Sequence, residues 1–166
     1  MRIVESAGVT IAAIDGACAG GAFERAIAAD IRLAAEGATL CARDVGDGAA
    51  CAIRLTRLLG EARAKEILLA GRAVDAAGAL RLGLVTRVVP ATALEEVTRT
   101  LAETLAALPP LGLRAVRDAV RAVGDLTPDA ALRLEHEHFR RLVGTRDHKT
   151  AVAAFFERRT PAFTGE

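Results

Sequence analysis

Aromatic side chains are nearly absent from this sequence. Trp and Tyr do not occur, and aromatic residues make up only 3% of the 166 positions. Hydrophobic residues nevertheless make up 52% of the chain, which is typical of a globular domain and argues against disorder. The core must therefore consist of Ala, Leu, Val and Ile, and closely packed Ala-rich helices would satisfy that requirement.

An excess of charge of either sign is also absent. Lys and Arg number 22 against 21 Asp and Glu, a net charge of +1. We therefore expect neither nucleic acid nor an anionic membrane as a partner. No apolar run reaches the length of a membrane span, and Arg2 and Glu5 lie where a signal peptide needs apolar residues. The sequence predicts a cytoplasmic protein.

Potential metal ligands are few and poorly spaced. The cysteines form an odd set without C-x-x-C spacing: Cys18, Cys41 and Cys51. They predict buried, reduced thiols rather than a disulfide framework. His136 and His138 are two residues apart on a predicted helix and so point in different directions, while His148 stands beside a helix start. These observations predict no metal site.

The apolar pattern predicts an α/β region at residues 1–92. Residues 9–14 are apolar and end at Asp15-Gly16, an Ala-rich helix follows the glycines at 20 and 21, and residues 30–34 alternate as a second strand. This order is typical of a βαβ unit. Two successive helices, joined at Gly60, follow a glycine-rich segment.

The rest of the chain is predicted to be helical after one more strand. Asp75 predicts the cap of a helix that ends at Gly83, and residues 84–89 predict a strand that Pro90 stops. The region 93–166 is then all-helical. Its predicted helices lie at about 94–108, 110–123, 128–143 and 148–158. The predicted strands are too few to build a good sheet by themselves.

The first candidate site is the turn at Gly20 and Gly21 with the acid that follows it. Two glycines let the backbone approach a ligand and leave N–H groups free at a helix start, where a carbonyl oxygen that becomes negative would be stabilised. Glu24 lies three residues after Gly21 and can share a face with the turn. Because its neighbours are apolar, Glu24 either lines a pocket or forms a structural ion pair with Arg25 or Arg32.

A second acid is available at Asp44, in the turn-like segment 43–48. Two carboxylates on separate elements can divide the acid and base roles of adding water. Alternatively, Asp44 and Asp47 simply make turn hydrogen bonds. The glycine turn itself matches neither the G-x-G-x-x-G dinucleotide pattern nor the G-x-x-x-x-G-K-[ST] phosphate loop.

Taken together, these residues resemble the enoyl-CoA hydratase/isomerase (crotonase) family. Residues 11–24 read IAAIDGACAGGAFE, which matches the family signature I-A-A-V-N-G-x-x-x-G-G-G-x-E. Further similarities are DIRLA at 30–34, RLTRLLG at 54–60 and AAFFERRTPAF at 153–163. The likeness extends over nearly the whole chain.

The resemblance implies a fold, a substrate and an assembly. The fold would be the crotonase spiral of ββα units, truncated at its N-terminus, with residues 1–92 forming the C-terminal portion of the spiral core. Residues 93–166 would form the helical region through which the family builds trimers, often doubled into hexamers. The substrate would be an acyl-CoA thioester, with coenzyme A as part of the substrate and no other cofactor.

The resemblance also implies roles for particular residues. Gly21, beside Gly20, would give one N–H to the oxyanion of a thioester enolate. Glu24 and Asp44 would be the two acids, one activating water for the β-carbon and the other delivering a proton to the α-carbon. Arg158 and Arg159 match basic residues that help hold the CoA phosphates. They could instead be a solvated charge pair.

The sequence also departs from the family pattern. The family's first part, which carries the other oxyanion N–H, has no counterpart here, and Ala22 replaces the third glycine of the signature. Two alternatives to an active enzyme follow. One is a catalytically impaired, truncated crotonase that acts as a binding or oligomerisation subunit for another crotonase-type chain. The other is a chain whose site is completed by a separate polypeptide.

Overall fold

A computed structural model describes residues 1–42 and 49–166 of this chain. The predicted second acid, Asp44, and the neighbouring Asp47 lie outside the described residues. The described strands are β1 (Arg2–Ser6), β2 (Val9–Ile14), β3 (Ala17–Ala19), β4 (Ile31–Ala35), β5 (Thr39–Cys41), β6 (Val74–Asp75) and β7 (Arg87–Val89). The described α-helices are α1 (Gly21–Ala28), α2 (Ala49–Leu59), α3 (Glu61–Ala70), α4 (Ala76–Leu82), α5 (Ala91–Ala106), α6 (Pro110–Ala122), α7 (Pro128–Leu142) and α8 (Arg146–Glu157).

The chain divides into two compact units. The first consists of Met1–Glu5 and Thr10–Ala102, and the second of Ser6–Val9 and Glu103–Glu166. Within the described ranges, no helix has both the length and the apolar character needed to cross a membrane.

The strands form two small sheets. One has four strands in the order β1-β2-β4-β7, in which β2 and β4 run parallel with Ile11 opposite Ile31. The other has the order β3-β5-β6, with Cys18 opposite Leu40 in a parallel pair. The expectation of too few strands was therefore wrong. Strands as short as β3, β5 and β6 show no alternation over enough residues to be recognised in the sequence.

The predicted strand at 84–89 is shorter in the structure. Only β7, Arg87–Val89, is a strand. Leu84 instead completes the end of α4: its N–H donates to the Ala79 carbonyl oxygen at 2.8 Å, after Gly83 adopts a left-handed conformation with φ of 80°. This arrangement is a common way to end a helix. The first residues of the predicted strand therefore belong to the helix end and not to the sheet.

The core of the first unit consists mainly of small and aliphatic side chains, as the composition predicts. Helix α1 contributes Phe23, Ala26 and Ile27, and these are at most 3% exposed. Leu55 of α2 and Ile67 of α3 are also buried in the same cluster. Helix α1 is thereby held against its neighbours along one face, which fixes the position of its other residues.

Arg32 on β4 is a buried cation that holds the end of α1. Arg32 is only 5% exposed, and its Nε donates to the Leu84 carbonyl oxygen at 2.7 Å. Its Nη1 donates to the carbonyl oxygen of Ala29 at 2.5 Å and to that of Ala26 at 3.5 Å. Burial lowers the pKa of the guanidinium, and the charge of Asp30 opposes that effect. A cation at a helix C-terminus is stabilised by the helix dipole.

The four helices predicted for residues 94–158 are found within about three residues of their expected ends, and the last three of them, α6, α7 and α8, belong to the second unit. Helices α6 and α7 contain no buried residue. Several large apolar side chains of these helices are exposed: Val116, Val120, Leu132 and Phe139.

Asp147 at the start of α8 fastens the last residues of the chain. It is 3% exposed, and its two carboxylate oxygens accept hydrogen bonds from the N–H groups of Thr164 at 2.8 Å and Gly165 at 2.9 Å. The Asp147 N–H donates to the carbonyl oxygen of Glu166 at 3.0 Å. The terminal segment lies outside any helix or strand, so the carboxylate satisfies two of its backbone donors.

We expect Asp147→Asn to lower the free energy of unfolding by about 1–3 kcal/mol, because the amide has one acceptor oxygen and turns its NH₂ toward a backbone donor. Urea unfolding measures the loss, and faster amide exchange at Thr164 and Gly165 locates it. The matched control is Asp129→Asn, an exposed acid in the first turn of α7, for which less than about 1 kcal/mol is expected. Equal losses in the two variants would contradict this role of Asp147.

Candidate functional site

The glycine turn leads directly from β3 into α1. Gly20 has φ of 54° and ψ of −134°, on the side of backbone space that favours glycine. The first hydrogen bond of the helix runs from the Glu24 N–H to the Gly20 carbonyl oxygen at 3.1 Å. The N–H groups of Gly21, Ala22 and Phe23 precede that bond and therefore have no acceptor within the helix. Donors and helix dipole together favour negative charge at this turn.

Glu24 lies on the same side of α1 as Gly21, one turn into the helix. Gly21 is exposed and Glu24 is half-buried, whereas Phe23 between them is fully buried in the core. Burial raises the pKa of the Cys51 thiol on α2, and the charge of Glu24 raises it further. The carboxylate of Glu24 therefore lies close enough to α2 for its charge to act on Cys51.

The structure rejects the ion pair that was the alternative for Glu24. Arg32 gives its hydrogen bonds to backbone carbonyl groups. The Nη1 of Arg25 lies 3.4 Å from the place where a Cβ on Gly21 would stand. Among residues 1–42 and 49–166, neither arginine pairs with Glu24.

The cysteines are free thiols, and two of the three are buried as expected. Cys18 and Cys51 are each 1% exposed, whereas Cys41 is half-buried and its Sγ donates to the Gly71 carbonyl oxygen at 3.5 Å. Cys41 was thus predicted wrongly, because it ends a short strand near the loop at Gly71. Burial raises the pKa of Cys18, against the charges of the Met1 amino group and Arg25. Thiols with a raised pKa are poor nucleophiles at neutral pH.

The other predicted site residues are distributed as follows. Arg158 adopts a left-handed conformation with φ of 53° at the end of α8, and Arg159 pairs with Glu157. Both arginines belong to the second unit and Glu24 to the first. The described ranges contain no cluster of three or more His, Cys, Asp or Glu side chains that could hold a metal ion.

A separate cavity of about 320 Å³ lies beside α3 and α4 and was not predicted from the sequence. The Arg72 Nη1 and Glu66 Oε1 pair within it at 2.5 Å, and the Asp75 Oδ1 accepts a hydrogen bond from the Gly78 N–H at 2.6 Å. The latter contact confirms Asp75 as the cap of α4. The residues that line this cavity do not include the glycine turn or Glu24.

The sequence reasoning also missed the position of Arg25 over Gly21. The available signal was the spacing of four residues, which places side chains of a helix next to each other and directs the later one toward the helix start.

The family model for enoyl-CoA hydratase/isomerase matches residues 1–166, and the chain belongs to this family. The predicted crotonase fold is confirmed as well, for the part of it that the chain covers. An enoyl-CoA hydratase structure from Bacillus anthracis is similar with a TM-score of 0.82 and 34% identity, over 91% of this chain and 60% of that one.

Curated relatives are similar over the same extent. The chain is 35% identical to the (E)-benzylidenesuccinyl-CoA hydratase of Thauera aromatica, over 93% of this chain and 62% of the relative. It is 34% identical to the enoyl-CoA isomerase/hydratase fer4 of Mycosarcoma maydis, over 95% of this chain and 59% of the relative. The chain thus spans about three fifths of the length of these curated relatives.

Proposed function

We propose that this chain acts on acyl-CoA thioesters, stabilising a thioester enolate at the Gly21 N–H and transferring a proton through Glu24. The observation that supports this function is the shared face of α1. A backbone N–H that has no acceptor within the helix and a half-buried carboxylate that makes no ion pair with the described residues stand one helical turn apart. The family membership supports acyl-CoA thioesters as the substrate class. We propose that coenzyme A enters as part of the substrate and that no further cofactor takes part.

The chemistry follows from what each group offers. When water adds to an enoyl thioester, a C–O bond forms at the β-carbon and the π-electrons move onto the thioester oxygen. A backbone N–H aimed at that oxygen stabilises the charge as it develops. Glu24 accepts the proton of the attacking water, and an acid then protonates the α-carbon. We retain Asp44 as the proposed second acid. If the proton moves between two carbons without water, Glu24 alone suffices and the reaction is an isomerisation.

We also propose that the chain assembles as a homotrimer or hexamer in the cytoplasm and serves fatty acid metabolism. The exposed apolar side chains of α6 and α7, such as Val116 and Phe139, support assembly through the helical region.

Arg158 and Arg159 remain proposed contacts for the CoA phosphates. The alternative of a non-catalytic subunit is not favoured, and the N–H of Gly21 and the carboxylate of Glu24 on one face of α1 support the enzyme instead.

The test replaces the oxyanion donor without disturbing the helix. Pro is well tolerated as the first residue of a helix and has no N–H, so Gly21→Pro removes the donor and keeps the helix start. We expect the purified chain to consume the enoyl absorbance of crotonyl-CoA and Gly21→Pro to lower kcat by about 10²–10³-fold.

The matched control is Gly21→Ala, which keeps the N–H. Its Cβ would meet only the flexible end of Arg25, at 3.4 Å, so we expect most of the activity to remain. An unmodified chain that is inactive on crotonyl-CoA, or equal rates for the unmodified chain and Gly21→Pro, would overturn the proposed mechanism.

A further inference from the structure

The cavity beside α3 and α4 brings together three arginines from three successive stretches of the chain. Arg63 lies in α3, Arg72 in the loop that follows it and Arg81 in the last turn of α4, and all three line the same space of about 320 Å³. The acids among the described lining residues are Glu66 and Asp75. Along this part of the wall, cations therefore outnumber anions.

Both of these carboxylates already have partners within the protein. The Arg72 Nη1 donates to the Glu66 Oε1 at 2.5 Å, and the Asp75 Oδ1 accepts the hydrogen bond from the backbone that caps α4, at 2.6 Å. Neither Arg63 nor Arg81 pairs with a carboxylate in the described part of the chain. Two guanidinium groups of one cavity thus have donors available for a ligand.

Two helices hold these guanidinium groups on opposite walls of the cavity. The helical residues that line it are spaced by three and four: Arg63, Glu66 and Ile67 in α3, and Gly78, Arg81 and Leu82 in α4. Residues at this spacing share one face of a helix, so each helix forms one wall. Ile67 and Gly78 are buried, which fixes the two walls in the core, whereas Arg63 and Arg81 are exposed and accessible from solvent.

We propose that this cavity binds the phosphoryl group of a small phosphate monoester, with Arg63 and Arg81 as the charged groups that hold it. A phosphate monoester carries a charge of about −2 and three acceptor oxygens, which guanidinium groups from two helices can share, whereas one guanidinium already matches a carboxylate. A cavity of about 320 Å³ is at the small end of ligand pockets, which range over about 300–1,000 Å³, and suits a small molecule. Because Glu24 does not line it, the ligand binds apart from the proposed reaction site.

Binding measurements test this site without depending on turnover. The probes are glycerol 3-phosphate and glycerate, which have the same number of carbons and carry a phosphate monoester and a carboxylate respectively. Dissociation constants are measured by calorimetry at constant ionic strength with the full chain, with Arg63→Gln and with Arg81→Gln. The matched control is Arg87→Gln, since Arg87 is likewise an exposed arginine of the first unit but does not line the cavity.

We expect the unmodified chain to bind glycerol 3-phosphate about 10–100-fold more tightly than glycerate, as for an additional charge-assisted pair. Arg63→Gln and Arg81→Gln should each weaken the binding of glycerol 3-phosphate about tenfold, and Arg87→Gln less than about twofold. Glu66→Gln should act in the opposite direction and tighten binding about threefold or more, because it releases Arg72 from its ion pair. A gain in affinity cannot result from loss of the fold.

Three results would overturn the inference. The first is an unmodified chain that binds glycerol 3-phosphate no more tightly than glycerate. The second is an Arg87→Gln chain that loses as much affinity as Arg63→Gln and Arg81→Gln, which would show attraction to surface charge in general. The third is displacement of glycerol 3-phosphate by adenosine 3′,5′-bisphosphate, the nucleotide end of CoA, with an affinity more than about tenfold higher. The cavity would then belong to the CoA site instead of a separate ligand.

Discussion

We expect Glu24→Gln to lower the turnover of crotonyl-CoA by about 10²–10⁴-fold, the usual contribution of a positioned acid–base group. The amide is nearly isosteric with the carboxylate but can neither accept the proton of water nor return it to carbon. Since Glu24 makes no ion pair among the described residues, we expect the variant to keep the fold. The hydrogen bond from the Glu24 N–H to the Gly20 carbonyl oxygen belongs to the backbone, so the variant keeps it.

The result should appear in kcat rather than in substrate affinity. A group that acts only in the transition state lowers kcat and kcat/KM equally when it is removed. The matched control is Glu36→Gln, which makes the same chemical change at an exposed residue between β4 and β5 and should leave the rate unchanged. Comparable rates for Glu24→Gln and the unmodified chain would show that Glu24 takes no part in proton transfer.

The second large effect concerns stability and the position of α1. We expect Arg32→Met to lower the free energy of unfolding by about 2–4 kcal/mol. The long apolar side chain fills the volume, but the carbonyl oxygens of Ala29 and Leu84 lose their donor, and each buried acceptor left unsatisfied costs about 1–3 kcal/mol. Relief from burying a charged group offsets part of this loss.

Urea unfolding measures this change, with Arg87→Met as the control. Arg87 lies on the neighbouring strand β7 and is exposed, so its replacement should change stability by no more than about 0.5 kcal/mol. Because Arg32 also holds the C-terminal end of the helix that carries Glu24, we expect slower turnover at temperatures where the variant remains folded. If the Arg32→Met variant is as stable as the unmodified chain, this prediction is wrong, and water satisfies the carbonyl groups of Ala29 and Leu84.

Local signals predicted much of the fold. The Asp75 cap, the glycines at 60 and 83, and the helix starts at Pro110 and Pro128 all act over one turn of chain, so the sequence displays them directly. Strand β1 was missed because its residues are charged and largely exposed, which leaves no alternation to recognise. The shortened strand β7 was misjudged because the apolar residues Leu84 and Val85 serve to end α4 rather than to pair.

In the candidate site, too, local features follow from the sequence and long-range contacts do not. The sequence by itself determined the turn, because only glycine readily adopts the positive φ at residue 20. It also determined the position of Glu24, which lies three residues after Gly21 and therefore on the same face of the helix. Tertiary structure decided which charges are paired. It directed Arg32 toward buried carbonyl groups, among them that of Leu84, and left Glu24 half-buried near Cys51. These outcomes depend on residues distant in sequence, because burial and pairing are set by packing, whereas a helix start is set by its own backbone.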